Sequence, residues 1–397
     1  MDIFQKSFTQ QEPIPASGIS RAVEVMLSGR LHRYNTIAEE PSETAMLEEA
    51  FANYLGTKYC LACASGGYAL STALRAFGVR QGEPVLTNAF TLSPVPGAIA
   101  TSGGQAILVE TTENLVMDLA DLERKLLATS ARLVLISHMR GHLIDMDALC
   151  AVLARHGASL IEDCAHTMGA SWDGKPSGTF GIAACFSTQT YKHINSGEGG
   201  LLVSNEPALM AKAILLSGSY MLYERHTKGP AAQTYADLRF TTPNCSGRMD
   251  DLRAAILIPQ LAELDERVQR WNARYQALAA ELESASGLYL PARPAKERFV
   301  GSSLQFLIRG IRDQQASAFV ARCKNQGVEL KWFGAPEPQG YTSTHFSWKY
   351  LDAQTLPQTD QVLHELFDLR IPLTFTLEDC RLIGRIIRQA IEAITDQ

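Results

Sequence analysis

The chain has 397 residues, a net charge of −6, 46% hydrophobic and 20% charged residues. That length suffices for two domains and a large core, and the charge leaves no basic footprint for nucleic acid. No apolar run is long enough to span a bilayer, and Met1 to Ser7 lacks the basic-then-apolar pattern of a signal peptide. The eight cysteines lie mostly inside apolar runs, as expected of a reduced, cytoplasmic protein. Cys60 and Cys63 have redox-motif spacing but share one apolar run, so two buried thiols are expected there.

Residues 1–40 read as irregular, with helix character around Arg21 to Leu27. Gly29 to Asn35 is an arm rich in ligand-capable groups. Glu43 to Tyr54 carries apolar residues at helical period and predicts an amphipathic helix. From Tyr59 a rhythm sets in. Short apolar runs at Leu61–Ala64, Val85–Thr87, Ala106–Val109, Leu133–Ser137 and Ser159–Glu162 alternate with helical patterns at Tyr68–Phe77, Asp118–Leu127 (Asp118 as N-cap) and Asp145–Arg155. This alternation predicts an α/β fold with a mostly parallel sheet covered on both faces. Its ligand site lies beyond the C-terminal ends of the strands.

A further strand, Ala183 to Phe186, leads into a polar loop with one lysine, Lys192. Gly-Glu-Gly-Gly (197–200) and an apolar run, Leu201 to Val203, follow. A helix is expected at Glu206–Leu216 and irregular polar chain at 217–247. One long helix is expected from about Met249 to Leu282. The remainder forms a smaller unit, with strands at Ser303–Ile308 and Val328–Trp332, helices at Gln361–Phe367 and Leu377–Ile394, and an aromatic loop from Phe333 to Leu351. The predicted organisation is a large domain with its N-terminal arm at 1–250, a linking helix at 251–285 and a small C-terminal domain at 286–397.

Four features follow strand ends and can reach one crevice: Ser65-Gly66-Gly67, Asp163, His166 and Lys192. A desolvated lysine loses its proton readily and becomes a nucleophile. An aldehyde cofactor with a phosphate handle needs such an amine, here Lys192. It needs a carboxylate to keep its ring nitrogen protonated, here Asp163. Its phosphate needs backbone N–H groups at a helix N-terminus and a hydroxyl, here Ser65-Gly66-Gly67 and Ser187. Singly, each feature is also met in ordinary turns; their joint order is what points to a site. Competing motifs fail. Gly169 to Lys175 has P-loop spacing, but Pro176 stands where magnesium needs a hydroxyl. Asp163, Cys164 and His166 lack the second cluster that would complete a metal site, so no metal is expected.

These segments resemble the DegT/DnrJ/StrS group of pyridoxal-phosphate (PLP) sugar aminotransferases. The carrying residues are Ala64 to Leu70, Ile161 to His166, Phe186-Ser187 with Lys192, Gly197 to Gly200, His138 with Asp145 to Asp147, and Arg248 to Ala255. The resemblance implies the aspartate-aminotransferase-like fold (PLP fold type I), with a smaller α+β C-terminal domain. It implies that Lys192 is the Schiff-base lysine and proton shuttle, that Asp163 pairs with the pyridine nitrogen and that His166 lies by the ring hydroxyl. Ser65, Gly66, Gly67 and Ser187 hold the phosphate.

The family works as a homodimer with shared active sites, the segment before Arg248 reaching across. It moves an amino group from L-glutamate, or L-glutamine, to a keto- or aldehydo-sugar in surface-polysaccharide or natural-product synthesis. Pyridoxamine 5′-phosphate carries the amino group between the two halves. Three positions depart from the family. Gly67 stands for the usual Thr. Leu92 stands for the ring-stacking aromatic, with Phe90 nearby as a substitute. Ser246 stands for the usual Asn. Two alternatives stay open: another PLP reaction on this fold, such as a dehydratase or racemase, and a non-catalytic ligand-binding or regulatory homologue. The aromatic loop and the arm at Gly29–Asn35 are candidates for shaping the acceptor pocket.

Overall fold

A computed structural model describes residues 3–37 and 40–395. Seven strands form the main sheet: β1 (Tyr59–Cys63), β2 (Pro84–Asn88), β3 (Gln105–Val109), β4 (Leu133–Ser137), β5 (Ser159–Asp163), β6 (Ala183–Ser187) and β7 (Gly200–Ser204). Their order is β1-β7-β6-β5-β4-β2-β3. The run β3-β2-β4-β5-β6 pairs parallel, and β7 lies antiparallel to both β6 and β1. The reversal follows from connection length. β6 returns directly as β7, with Ser187 opposite Gly200, and a direct return gives an antiparallel pair whereas a parallel one needs a crossover. Lys192 sits in that connection.

Alternation along each strand divides its side chains between two cores. Cys60, Ala62, Leu86, Val134 and Ile136 pack on one side with the helices Glu43–Leu55, Leu119–Thr129 and Met146–His156. Leu61, Cys63, Val85, Leu133 and Leu135 pack on the other with Gly66–Phe77, Pro94–Thr101 and Pro207–Ser217. Burial on both faces is why the strands read as continuous apolar runs. Asp118 caps its helix as expected, accepting from the N–H groups of Ala120 and Asp121.

The smaller unit carries a four-stranded antiparallel sheet of β8 (Leu288–Tyr289), β9 (Ser303–Ile308), β10 (Lys331–Trp332) and β11 (Leu366–Arg370), in the order β8-β9-β11-β10. The helices Asp313–Asn325 and Leu377–Thr395 cover it.

Three expectations need correction. The helix expected from Met249 to Leu282 is two helices, Asp251–Ala262 and Leu264–Leu282. They meet at Glu263, which has φ −91° and ψ −1°. Apolar periodicity runs through the turn because Leu257, Leu261, Leu264 and Val268 all face one core, so the pattern hides the break. The second helix then reaches into the small unit's core with Tyr275, Leu278 and Leu282. The helix expected at Gln361–Phe367 instead spans Pro357–Glu365, and Leu366 begins β11. There Phe367 pairs with Phe306 of β9 and Leu369 with Leu304. The apolar positions Val362, Leu363, Leu366 and Phe367 suit helical period, and pairing with β9 overrides it. The strand expected from Val328 is ordered as β10 only at Lys331–Trp332.

Candidate active site

Each candidate side chain is placed by a strand end or a helix start. Ser65 follows β1 and accepts the N–H of Tyr68 at 3.1 Å, which caps the helix Gly66–Phe77. The first N–H groups of a helix have no partner within it and attract anions. Gly66 is needed for packing: a Cβ there would lie 2.9 Å from the Ser187 Cβ. The helix start is thus pressed against the end of β6, which brings the Ser187 hydroxyl beside its N–H groups. At Gly67 the nearest atom to an added Cβ, on Pro94, lies 3.7 Å away, so a side chain would fit.

Asp163 ends β5 and is buried. One carboxylate oxygen accepts from the Ser137 hydroxyl at 2.8 Å, the other from the Ala165 N–H at 3.1 Å. Two anchors fix the carboxylate and leave lone pairs free for a further donor.

His166 and Lys192 are in direct contact. The His166 Nε2 lies 2.8 Å from the Lys192 Nζ, and its Nδ1 accepts the Arg140 N–H at 3.3 Å. Burial, then the charges of Lys192 and Arg140, hold His166 well below its usual pKa, so the ring is neutral. A neutral imidazole has one N–H. With Nδ1 accepting, the network assigns the proton to Nε2, where the uncharged form of the Lys192 amine can accept it through its lone pair. The electrostatics agree. Burial lowers Lys192 to about 7; Asp163 pulls it up, and Arg140, Arg370 and Lys331 push it down.

These groups share one cavity of about 380 Å³, within the roughly 300–1,000 Å³ range of small-molecule sites. Ser65, Gly66, Gly67 and Ser187 line it, together with Leu92, Asp163, His166 and Lys192. Gly340, Tyr341 and Ser343 of the aromatic loop close one side. Leu92 faces the cavity, whereas Phe90 is buried edge-on against Phe333; the cavity wall at this position is therefore aliphatic. Ser246 stands apart, exposed and bonded only to Asn244 among the described residues.

The arm at Gly29–Asn35 does not line this cavity. Arg33 is buried in a two-point ion pair with Glu48 at 2.7 and 2.9 Å, and the Tyr34 hydroxyl meets His226 at 2.7 Å. Cys164 and His166 do not meet on a metal geometry either. The Cys164 thiol lies by Ser177, 3.3 Å away, while Glu162, close to Cys164 and His138, spends its oxygens on the N–H groups of Gly178, Phe180 and Gly181.

The sequence reading missed Arg140, Lys331 and Arg370, which adjoin the Lys192 side of the cavity. The available signals were faint: an arginine before Gly141, and charges interrupting the apolar pattern Phe367 to Arg370.

Comparison with known proteins gives the chemistry a context. Residues 21–388 match the DegT/DnrJ/EryC1/StrS aminotransferase family. The chain belongs to this family. It is thus a PLP-dependent aminotransferase, of PLP fold type I. A "pleiotropic regulatory protein" of Geobacillus stearothermophilus is 30% identical over 334 residues, 81% of this chain and 82% of that one. A dTDP-3-amino-3,4,6-trideoxy-alpha-D-glucose transaminase of Micromonospora megalomicea subsp. nigra is 29% identical, covering 88% of each chain. The crystal structure of the aminotransferase TlmJ from Streptoalloteichus hindustanus superposes with a TM-score of 0.82 over 100% of both chains, at 21% identity.

The residues present fit PLP. An open helix start and a hydroxyl face the cavity at Gly66 and Ser187. An anchored carboxylate with spare lone pairs faces it from β5, and the Lys192 amine faces it beside His166.

Proposed function

We propose that the protein transfers an amino group from L-glutamate, or L-glutamine, to a keto- or aldehydo-sugar, in surface-polysaccharide or natural-product synthesis. The observation that carries this is the Lys192 amine, 2.8 Å from the His166 Nε2 and in the same cavity as the fixed Asp163 carboxylate. The sugar transaminase relative of Micromonospora megalomicea supports the acceptor class.

When bound, PLP supplies an aldehyde to the amine and a ring that withdraws electrons from the donor's Cα. The rest is the work of the chain. The N–H groups opening the helix at Gly66, with the hydroxyls of Ser65 and Ser187, hold the phosphate. Asp163, fixed by Ser137 and Ala165, holds a proton on the ring nitrogen by charge attraction. Lys192 takes the proton from the donor Cα and returns it, as a general base with a pKa near working pH can. His166 holds the free amine in place and sits by the ring hydroxyl. Leu92 offers one ring face an apolar wall.

The protein acts as a homodimer. The segment carrying Ser246 is displaced from its own cavity, and Tyr220, Met221 and Phe240 on the same stretch are exposed, which supports its reaching a neighbouring copy. Among the described residues no helix is long and apolar enough to cross a membrane, and a place in the cytoplasm is part of the proposal.

The test is a single turnover. PLP-loaded protein mixed with L-glutamate, without acceptor, releases one 2-oxoglutarate per subunit. Lys192→Ala slows this by about 10²–10⁴-fold, the usual contribution of a general base. Wild-type rates from the Ala variant would contradict the assignment. Bound PLP with release neither of 2-oxoglutarate from L-glutamate nor of 2-oxoglutaramate from L-glutamine would favour the other PLP chemistries.

A further inference from the structure

A second compartment of about 50 Å³ adjoins the cavity across Leu92, His166, Gln189, Lys192 and Tyr341. It touches none of the phosphate-side residues. Arg140, in the single helical turn Met139–Gly141 after β4, and Arg370, at the end of β11, reach into it, and Lys331 lies alongside. Their charges are not balanced. Asp368 takes Arg140 at 2.9 Å and Lys331 at 3.7 Å. Among the described residues no carboxylate pairs with Arg370, whose guanidinium stacks on the Tyr191 ring at 3.7 Å. Three cations thus face one carboxylate that is itself fully buried.

Two independent observations mark this as a ligand site. The Arg140 side chain is 7% exposed, yet its Nε has no hydrogen-bond partner, and neither does the Lys331 Nζ. Buried donors are normally satisfied. Arg140 also has φ 56° and ψ 22°, a left-handed conformation costing a non-glycine residue about 1–2 kcal/mol. Such strain collects at functional sites. Here it lets one residue send its N–H to His166 and its guanidinium to Asp368.

We infer that Arg140, Lys331 and Arg370 form a carboxylate-binding subsite beside Lys192, and that the carbonyl acceptor, like the amino donor, carries a carboxylate that fills it. The inference rests on the aminotransferase reading of the same cavity. A compartment this small admits a compact anion and not a diphosphate. A planar guanidinium matches a carboxylate's two oxygens. Donor and acceptor react in turn at Lys192. A neutral acceptor would therefore leave the surplus cations beside Lys192 without a counter-charge and partly desolvated, which is unfavourable.

The test is calorimetric titration of succinate, an unreactive dicarboxylate, into PLP-loaded enzyme and into glutamate-treated enzyme, the form that meets the acceptor. Dimethyl succinate and inorganic phosphate serve as comparison probes. Succinate is expected to bind both forms and dimethyl succinate neither. Arg370→Gln and Lys331→Gln each raise the succinate Kd by about tenfold or more, the scale of a charge-assisted hydrogen bond. Asp368→Asn, which enlarges the positive surplus, lowers it. A folding defect would weaken binding in all three variants, so the opposite sign at Asp368 separates the two causes. The inference is overturned if succinate fails to bind the glutamate-treated form. It is equally overturned if the variants bind as wild type does, if all three weaken together, or if phosphate binds more tightly than succinate. Release of 2-oxoglutarate from L-glutamate is scored separately. If it occurs while succinate binding fails, only the subsite falls; if it does not occur, the reading of L-glutamate as donor falls.

Discussion

Two buried ionic clusters in this molecule use the same residue types to different ends. At the arm, Arg33 and Glu48 face each other with two matched bonds, and Glu48 also accepts the Ala62 N–H at 2.8 Å. Burial and Arg33 keep the adjoining His226 below its usual pKa, so one positive and one negative charge remain and cancel. Burial works against Glu48's charge, and Arg33 and His226 outweigh it, holding the carboxyl down at about 2. Near Lys192, three cations share Asp368. A closed ion pair with its bonds made ties the chain together. A cluster left with surplus charge and unmet donors, beside a cavity, awaits a ligand. Charge balance separates the two where burial does not.

The contrast can be broken in three ways. Removing one partner of the balanced pair should do the most damage. Glu48→Gln strands Arg33 in the core and is expected to destabilise the fold by about 3–5 kcal/mol, read as a lower urea midpoint. It should leave Lys192 chemistry unchanged in whatever protein stays folded.

The surplus cluster should instead act on reactivity. In cofactor-free protein, acetylation of Lys192 by acetic anhydride, followed by mass spectrometry, reports the fraction of free amine. That fraction grows as pH rises through about 7, whereas an ordinary lysine titrates near 10.4. A neighbouring cation disfavours the charged amine, so Lys331→Gln moves the midpoint upward and slows acetylation at pH 7. Glu48→Gln should not move it. A midpoint shared with exposed lysines would remove the electrostatic argument.

The smallest effect belongs to the far end of the cavity. Space at Gly67 admits a side chain, and Gly67→Thr supplies the hydroxyl that the family usually carries. One added bond to a phosphate, at the low end of the charge-assisted range, is worth about 1.5 kcal/mol, so PLP affinity should rise by roughly tenfold. Weaker PLP binding would mean that the phosphate does not sit there.

The main sheet was legible because its strands are buried on both faces and punctuated by glycine turns, a pattern that survives in one dimension. The cavity residues were legible where they follow a strand end, as Asp163, Ser187 and Ser65 do. Lys192 stood out as the one amine in the return between β6 and β7. The turn at Glu263 was hidden because apolar spacing continues across it. The onset of β11 at Leu366 was hidden because a strand buried on both faces shares its composition with a buried helix. The cation cluster was out of reach for another reason. Arg140, Lys331 and Arg370 are far apart in the chain and meet only when the small unit's sheet packs against the loop after β4. Single charged residues in a sequence do not announce which charges will face them.

The most direct test is to treat PLP-loaded protein with borohydride, digest it and locate the retained cofactor mass. The account predicts that it lies on the peptide carrying Lys192, and that Lys192→Ala retains none. Cofactor fixed to a different lysine, or none fixed in the wild-type protein, would contradict it.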